Sequence, residues 1–486
     1  MMFAFPKLPH GIVAFLCILG QFQSTGSAAD RPNFVLIMCD DLGWSDVGFN
    51  GGTHIRTPHL DAMAANGAKF NRFYAQAPVC SPTRASIVTG RHHDRTGIYT
   101  ANRGHLRAGE FTLYEALSQS GYTTGHFGKW HMGTLTRKIA DSNRGMKKPE
   151  DYSPPWEHAV GTTFATEAKT PTYDPMWKPD PSGDKKSFDA GTKLGWLELT
   201  ASRPQSLYGT FYWTAEETSV PPESESLRGD DSRLIMDQTL KFIEREHQQP
   251  FLAIVWFHAP HLPVVTSEKD ASLYDDGKTT PYEQAYYGCV SALDRQIGRL
   301  RKRLRELGIA ENTVITFCSD NGPEGNDKAP GRAGQFRGRK RSLYEGGVRV
   351  PGLIEWPGKI PPGIVTDAAA CTVDYFQTIQ EIVGFELPDQ RPMDGTSLLP
   401  LLDGRQASRP VPLAFHYQGK GAWHDGDWKA IGSAKKDEWE LYNLSADPGE
   451  TSDLAKQNPD RLRAMRTQWG EWKKSVDRSD SGADYR

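Results

Sequence analysis

Asn33 to Met38 reads Asn-Phe-Val-Leu-Ile-Met, apolar without alternation, which is the pattern of a strand covered on both faces. The same pattern returns at Phe251–Phe257 and Val314–Cys318, and more weakly at Thr123–Phe127. Helical spacing fills the intervals. Leu60, Met63 and Ala64 form a short stripe after Thr57-Pro58, closed by Gly67. Thr112-Leu-Tyr-Glu115 is a capping box and Gly121 a stop signal. Asp231–Glu246 is helical in period, and Tyr282–Leu307 sets Leu293, Ile297, Leu300, Leu304 and Leu307 on one face. A further amphipathic helix covers Asp374–Gly384. Buried strands alternating with such helices predict an α/β fold with a largely parallel sheet flanked by helices. Near Leu401 the pattern shifts to short strand-like pieces, Val411–Tyr417, Asp427–Ile431 and Glu440–Leu444. Leu462, Met465, Trp469, Trp472 and Val476 then mark one face of a last helix that docks on them. The boundaries expected are a large domain over 30–400 and a C-terminal subdomain over 401–486.

Residues 137–230 break the pattern, with Pro, Gly, Lys, Thr and aromatics in place of aliphatic periodicity. So long a stretch without clear elements is expected to be functional. Trp156, Tyr173, Trp177, Trp196, Tyr208 and Trp213 are scattered through it, some to anchor loops and some to face a ligand.

The first residues are set apart from the fold. Lys7 and His10 precede an apolar run, Gly11–Phe22, and small residues follow up to Ala29. That is the pattern of a signal peptide over 1–29, cleaved near Ala28 or Ala29. The run is too short to span a bilayer, and Leu16 before Cys17 is too bulky for a lipoprotein site. The expectation is an exported, periplasmic or extracellular protein without a membrane span. A formal net charge of -3 carries no basic bias, so nucleic acid is not expected as a partner. Cleavage would leave Cys39, Cys80, Cys289, Cys318 and Cys371, an odd number spaced neither as a disulfide framework nor as a zinc site.

Chemistry-bearing residues gather where the strands end. Asp40 and Asp41 follow the first strand; adjacent carboxylates repel unless a cation separates them, and hard oxygen donors suit Ca²⁺ or Mg²⁺. Lys129 and His131 follow the second strand, His258 and His261 the third, Asp320 and Asn321 the fourth. Each group has an ordinary reading as a turn or surface residue. Together they fit the rule that ligands collect at the carboxyl ends of parallel strands. The stretch Val79-Cys-Ser-Pro-Thr-Arg-Ala-Ser-Ile-Val-Thr-Gly-Arg91 adds a reactive atom. Pro82 suits a first helical turn and Gly90 an end, which puts Cys80 at a helix N-terminus, where free N–H groups favour negative charge.

Cys80-x-Pro82-x-Arg84 with Thr89-Gly-Arg91 resembles the signature of the type I, formylglycine-dependent sulfatases of the alkaline-phosphatase superfamily. Asp40-Asp41-Leu-Gly, Gly128-Lys129-Trp-His131, Pro260-His261-x-Pro263, Asp320-Asn321-Gly, Arg337-Gly-x-Lys340 and Glu345-Gly-Gly-x-Arg-Val-Pro are similar to that family's motifs, in order. Glu440-Leu-Tyr-Asn-Leu with Asp-Pro-Gly-Glu450 extends the likeness to the C-terminal part. Thr83 stands where Ser is commoner.

The resemblance implies a large domain on a mixed sheet and a smaller one with an antiparallel sheet. It implies that Cys80 becomes Cα-formylglycine, whose hydrate is the nucleophile, through a formylglycine-generating enzyme. Asp40, Asp41, Asp320, Asn321 and residue 80 would hold one divalent cation, usually Ca²⁺. Arg84 and Lys129 would steady the hydrate; Lys129, His261 and Lys340 would contact the sulfate ester; His131 would deprotonate the second hydroxyl. His258 competes with His261 for the place beside the ester, and the His-x-Pro context favours His261. The substrate expected is a sulfated carbohydrate, with Trp177, His105, Arg107, Glu167 and Lys169 as candidates to contact the sugar. The alternatives are a phosphodiester or phosphonate monoester hydrolase, and a catalytically silent sugar-binding protein.

Overall fold

The computed structural model describes residues 1–2, 31–142, 144–179, 196–197, 206–433 and 435–485. Residues 3–29 of the expected leader lie outside the described residues, as does the side chain of Trp196.

Ten strands make the main sheet: β1 (Asn33–Cys39), β2 (Ala68–Phe70), β3 (Thr123–Lys129), β4 (Thr162–Thr166), β5 (Trp213–Ala215), β6 (Thr218–Ser219), β7 (Phe251–Trp256), β8 (Thr313–Ser319), β9 (Gly352–Glu355) and β10 (Ile364–Thr366). Their spatial order is β6-β5-β4-β3-β7-β1-β8-β9-β2-β10. The middle five, β4-β3-β7-β1-β8, are parallel throughout. Antiparallel pairs flank them on both sides, so the sheet is mixed and largely parallel.

Strand β1 sits at the centre, pairing Phe34 with Leu252 on one side and Val314 on the other. Alternate residues serve opposite faces. Val35 and Ile37 pack under the helices α2 (Asp231–Glu246) and α3 (Pro281–Glu306); Phe34, Leu36 and Met38 pack under α1 (Cys80–Thr89) and α4 (Asp374–Val383). A strand covered on both faces has no polar side to show, which explains its unbroken apolar run.

Strands β4, β5 and β6 come from the stretch 137–230, where periodicity was absent. Strand β4 reads Thr-Thr-Phe-Ala-Thr. It joins the sheet because β3 offers it a free parallel edge, not because its composition marks it.

A second sheet holds β11 (Leu413–Tyr417), β12 (Lys420–Asp425), β13 (Trp428–Ser433) and β14 (Glu438–Asn443), antiparallel in that order. The sequence pattern missed β12. Gln418 and Gly419, with φ of 49° and 78°, close a tight two-residue hairpin that feeds directly into it. Helix α5 (Pro459–Asp480) lies against this sheet, and the Trp469 indole donates to the Phe415 carbonyl at 2.9 Å. No described helix is long and apolar enough to cross a membrane.

Candidate active site

The parallel strands deliver their polar ends to one place. Asp40 N donates to the Ala259 carbonyl at 3.1 Å and Asp320 N to the Cys39 carbonyl at 3.0 Å, so pairing runs on past the strands proper. Asp41 then turns with a φ of 68° and its N–H meets Asp320 Oδ1 at 3.2 Å. All four residues Asp40, Asp41, Asp320 and Asn321 are buried.

Helix α1 brings Cys80 and Arg84 to the same point. Val79 is extended and the helix begins at Cys80, with every residue of α1 buried. Arg84 donates to Asp320 Oδ2 at 2.7 Å and to the Lys129 carbonyl at 3.0 Å. Its guanidinium also lies over the Trp256 ring at 5.1 Å. Lys129 donates to Asp40 Oδ2 at 2.5 Å, and Lys340 reaches both Asp41 oxygens at 2.6 and 2.8 Å. Three buried carboxylates thus face three fixed cations.

Two oxygens in this cluster are orphans. Asp40 Oδ1 and Asn321 Oδ1 are buried without a hydrogen-bond partner, while Asn321 Nδ2 is spent on Asp41 Oδ1 at 2.6 Å. Buried acceptors without donors are costly, and an oxygen-seeking cation would satisfy them. Possible ligand atoms of Asp40, Cys80 and Asp320, and separately of Asp40, Asp41 and His261, lie within 4.8 Å of one another. Burial, with the Asp40 charge beside it, pushes Asp320 up to about 7. Burial opposes ionisation of Asp40 too, but Lys129 foremost holds it well below the usual range. Crowded carboxylates whose open oxygens face no donor fit a hard divalent cation.

Histidines divide by role. His261 Nδ1 donates to the Leu262 carbonyl at 2.7 Å, which turns Nε2 toward Asp41 Oδ2 at 3.6 Å. Burial lowers its pKa to about 4 against the pull of Asp40 and Asp41. His131 is buried with no partner at either ring nitrogen; burial, aided by Lys129, keeps it neutral. His258 belongs elsewhere. It is pinned between Asp231 Oδ2 at 2.8 Å and Thr166 Oγ1 at 2.7 Å, a tie between β7 and the start of α2. Burial raises the Cys80 thiol pKa, so an unmodified cysteine here would stay a poor nucleophile.

A cavity of about 430 Å³ opens over these groups, with Cys80, Lys129, His131, His261 and Lys340 on its wall. Lys169 lines it too, but Trp177, His105 and Glu167 do not. Trp177 packs against the main core with Arg228 over its ring at 4.7 Å. His105 faces Asp151 at 3.4 Å, and Arg107 is held by Asp480 at 2.7 Å. Glu167 is buried, accepting from Gly145 N at 3.0 Å and Arg144 Nε at 3.3 Å. The rim the sequence did not reveal consists of Thr100–Asn102, Glu324, Arg341, Tyr417 and Gln418. Tyr417 ends β11 and Gln418 opens the turn to β12, whose approach only the docking of the second sheet reveals.

The model of the sulfatase family matches residues 32–385, nearly the whole span of the main sheet and its helices. The chain belongs to the sulfatase family. A second model, for the C-terminal part of N-sulphoglucosamine sulphohydrolase, matches 331–469 of this sulfatase. It is 32% identical over 461 residues to steryl-sulfatase of Mus musculus, covering 84% of this chain and 71% of that one. It is 32% identical over 446 residues to N-acetylgalactosamine-6-sulfatase of Sus scrofa, covering 87% and 76%. The crystal structure of Ps i-CgsB in complex with k-i-k-neocarrahexaose superposes with a TM-score of 0.73 at 25% identity, covering 92% and 93%. The sulfatase is a sulfuric ester hydrolase, and the polar cluster at the strand ends is where its geometry allows such chemistry.

Proposed function

We propose that this sulfatase is an exported enzyme that removes sulfate from a sulfated carbohydrate, using residue 80 as Cα-formylglycine and one Ca²⁺ or Mg²⁺. The observation that carries the reading is the position of Cys80. It stands at a buried helix N-terminus, with Lys129, His261 and Lys340 on the wall of the same cavity. A formylglycine-generating enzyme would make the conversion during maturation. Hydrated, that residue would supply two hydroxyls on one carbon, one to attack sulfur as the alcohol leaves and one whose deprotonation expels sulfate and restores the aldehyde. Asp40, Asp41, Asp320 and Asn321 would hold the cation, which when bound would supply positive charge to the sulfate ester.

The chain's own side chains do the rest. Lys129 and Lys340 would face the sulfate ester from fixed, buried positions, where preorganised charge is worth more than in water. Arg84 and Lys129 hold residue 80 and its carboxylate neighbours in register. His261 Nε2 or Lys340 Nζ protonates the departing alcohol. His131, neutral and without a partner, accepts the proton of the second hydroxyl. Carbohydrate is favoured over a sterol by the polar rim of Thr100, Asn102, Lys169, Arg341 and Gln418; the name of the porcine relative and the saccharide bound to Ps i-CgsB point the same way.

The test is sulfate release from a panel of defined sulfated monosaccharides, beside an aryl sulfate and an aryl phosphonate monoester. Chelation should abolish turnover, and added Ca²⁺ or Mg²⁺ should restore it. Faster turnover of the phosphonate than of every sulfate ester would overturn the reading.

A further inference from the structure

The cavity does not end at its rim. Arg341, Tyr417 and Gln418 line it and also line a larger hollow of about 880 Å³ that runs on over the C-terminal sheet. Tyr344, Ile431 and Gly432 lie along this second hollow. The turn at Gln418 and Gly419 stands between the two, so a saccharide that extends from the cavity past Gln418 would reach the hollow.

The hollow also carries unbalanced charge. Two of its three acids are offset by cations from outside the hollow: Glu440 by Arg337 at 3.7 Å, with the Tyr344 and Tyr442 hydroxyls also donating to it, and Asp437 by Arg466. Arg341 is neutralised by Glu324 at 2.7 Å. Lys420, Lys435 and Lys436 line the hollow, are exposed, and form no ion pair among the described residues. Against these three cations stands one acid, Glu438, likewise without an ion pair among the described residues. Such surplus attracts an anion and repels a cation, modestly for each exposed group.

We propose that this hollow binds a second anionic sugar unit, sulfated or carboxylated, of the same saccharide whose sulfate ester lies in the cavity. The enzyme therefore prefers an oligosaccharide bearing a second negative group to the corresponding monosaccharide. This rests on the carbohydrate reading above and adds the place and charge of the next unit. Selectivity then comes from the C-terminal sheet and not from the aromatics of 137–230.

The test compares kcat/KM for a singly sulfated monosaccharide, an oligosaccharide with the same target and no other charge, and one with a second anionic group. An aryl sulfate serves as internal reference. The wild type should favour the doubly anionic oligosaccharide over the other two. In the Lys420→Ser/Lys435→Ser/Lys436→Ser variant, the ratio of its kcat/KM to that of the aryl sulfate should fall about fivefold or more, through KM. Added salt should erode the wild-type preference in the same direction. An unchanged ratio in the variant overturns the proposal alone. Turnover of the aryl sulfate with none of the saccharides overturns the carbohydrate reading and this proposal with it.

Discussion

Arg84 does two things with one side chain. Its fork bridges Asp320 Oδ2 and the Lys129 carbonyl, so it fixes a carboxylate and the end of β3 together. A lysine has the charge but not the fork. Arg84→Lys should lower kcat/KM on an aryl sulfate by roughly 100-fold, the order seen when one preorganised donor is lost, while circular dichroism stays native. Turnover within twofold of wild type would remove Arg84 from the machinery. Trp177 makes the opposite case. An aromatic in a polar stretch reads as a ligand platform, yet its ring lies on the core under Arg228. Trp177→Ala should cost about 2 kcal/mol of stability and affect saccharide and aryl sulfate turnover equally. A loss confined to the saccharide would restore it to the substrate path. The residues legible in advance, Asp40, Asp41, Asp320 and Asn321, each follow an unmistakable apolar strand. Tyr417, Gln418 and Arg341 were not legible because nothing local marks a turn that acts on another domain's cavity.

Strand β3 shows how the backbone sets the site. Gly128 has a φ of 101°, and a Cβ there would stand 2.0 Å from the Trp256 carbonyl of β7. Only glycine lets the strand turn outward at that distance and present Lys129 and then His131. Gly128→Ala should push β3 from β7, lowering both the melting temperature and the turnover number. Native stability and activity in the variant would show that the strand end tolerates a Cβ at this approach. The alternation of buried strands and amphipathic helices made β1, β7, β8, α2 and α3 readable. Strand β4 was not, since a polar Thr-Thr-Phe-Ala-Thr segment takes its conformation from the edge it pairs with.

The two sheets are joined by buried charge. Lys429 of β13 lies 2.9 Å from both Glu345 and Glu450, and Glu345 N donates to Glu450 Oε2 at 2.6 Å. Tyr74 donates to Glu345 at 2.9 Å, tying in the main domain. One lysine serves two buried carboxylates. Burial, with Glu345 close by, raises Glu450 to about 7, against the pull of Lys429. A raised acid pKa means that the folded state keeps a proton the unfolded chain has released. The part of the stability that Glu450 carries should therefore fall as pH rises from about 4.5 to about 7, by up to roughly 3 kcal/mol, and level off above. Glu450→Gln should lose this share of the slope, so the stability difference between the two proteins should change across that window. Parallel pH profiles for the two proteins would contradict the assignment. This joint holds the sheet whose Tyr417 and Gln418 wall the cavity over Cys80.

Everything proposed about the chemistry depends on what residue 80 is in working enzyme. The tryptic peptide from Phe73 to Arg84 should be weighed in preparations made with and without a formylglycine-generating enzyme, and turnover measured on the same samples. The fraction of peptide in which an aldehyde has replaced the thiol should equal the fraction of active enzyme, with the unconverted form folded and inactive. Full activity in material whose residue 80 is entirely unmodified cysteine would contradict it.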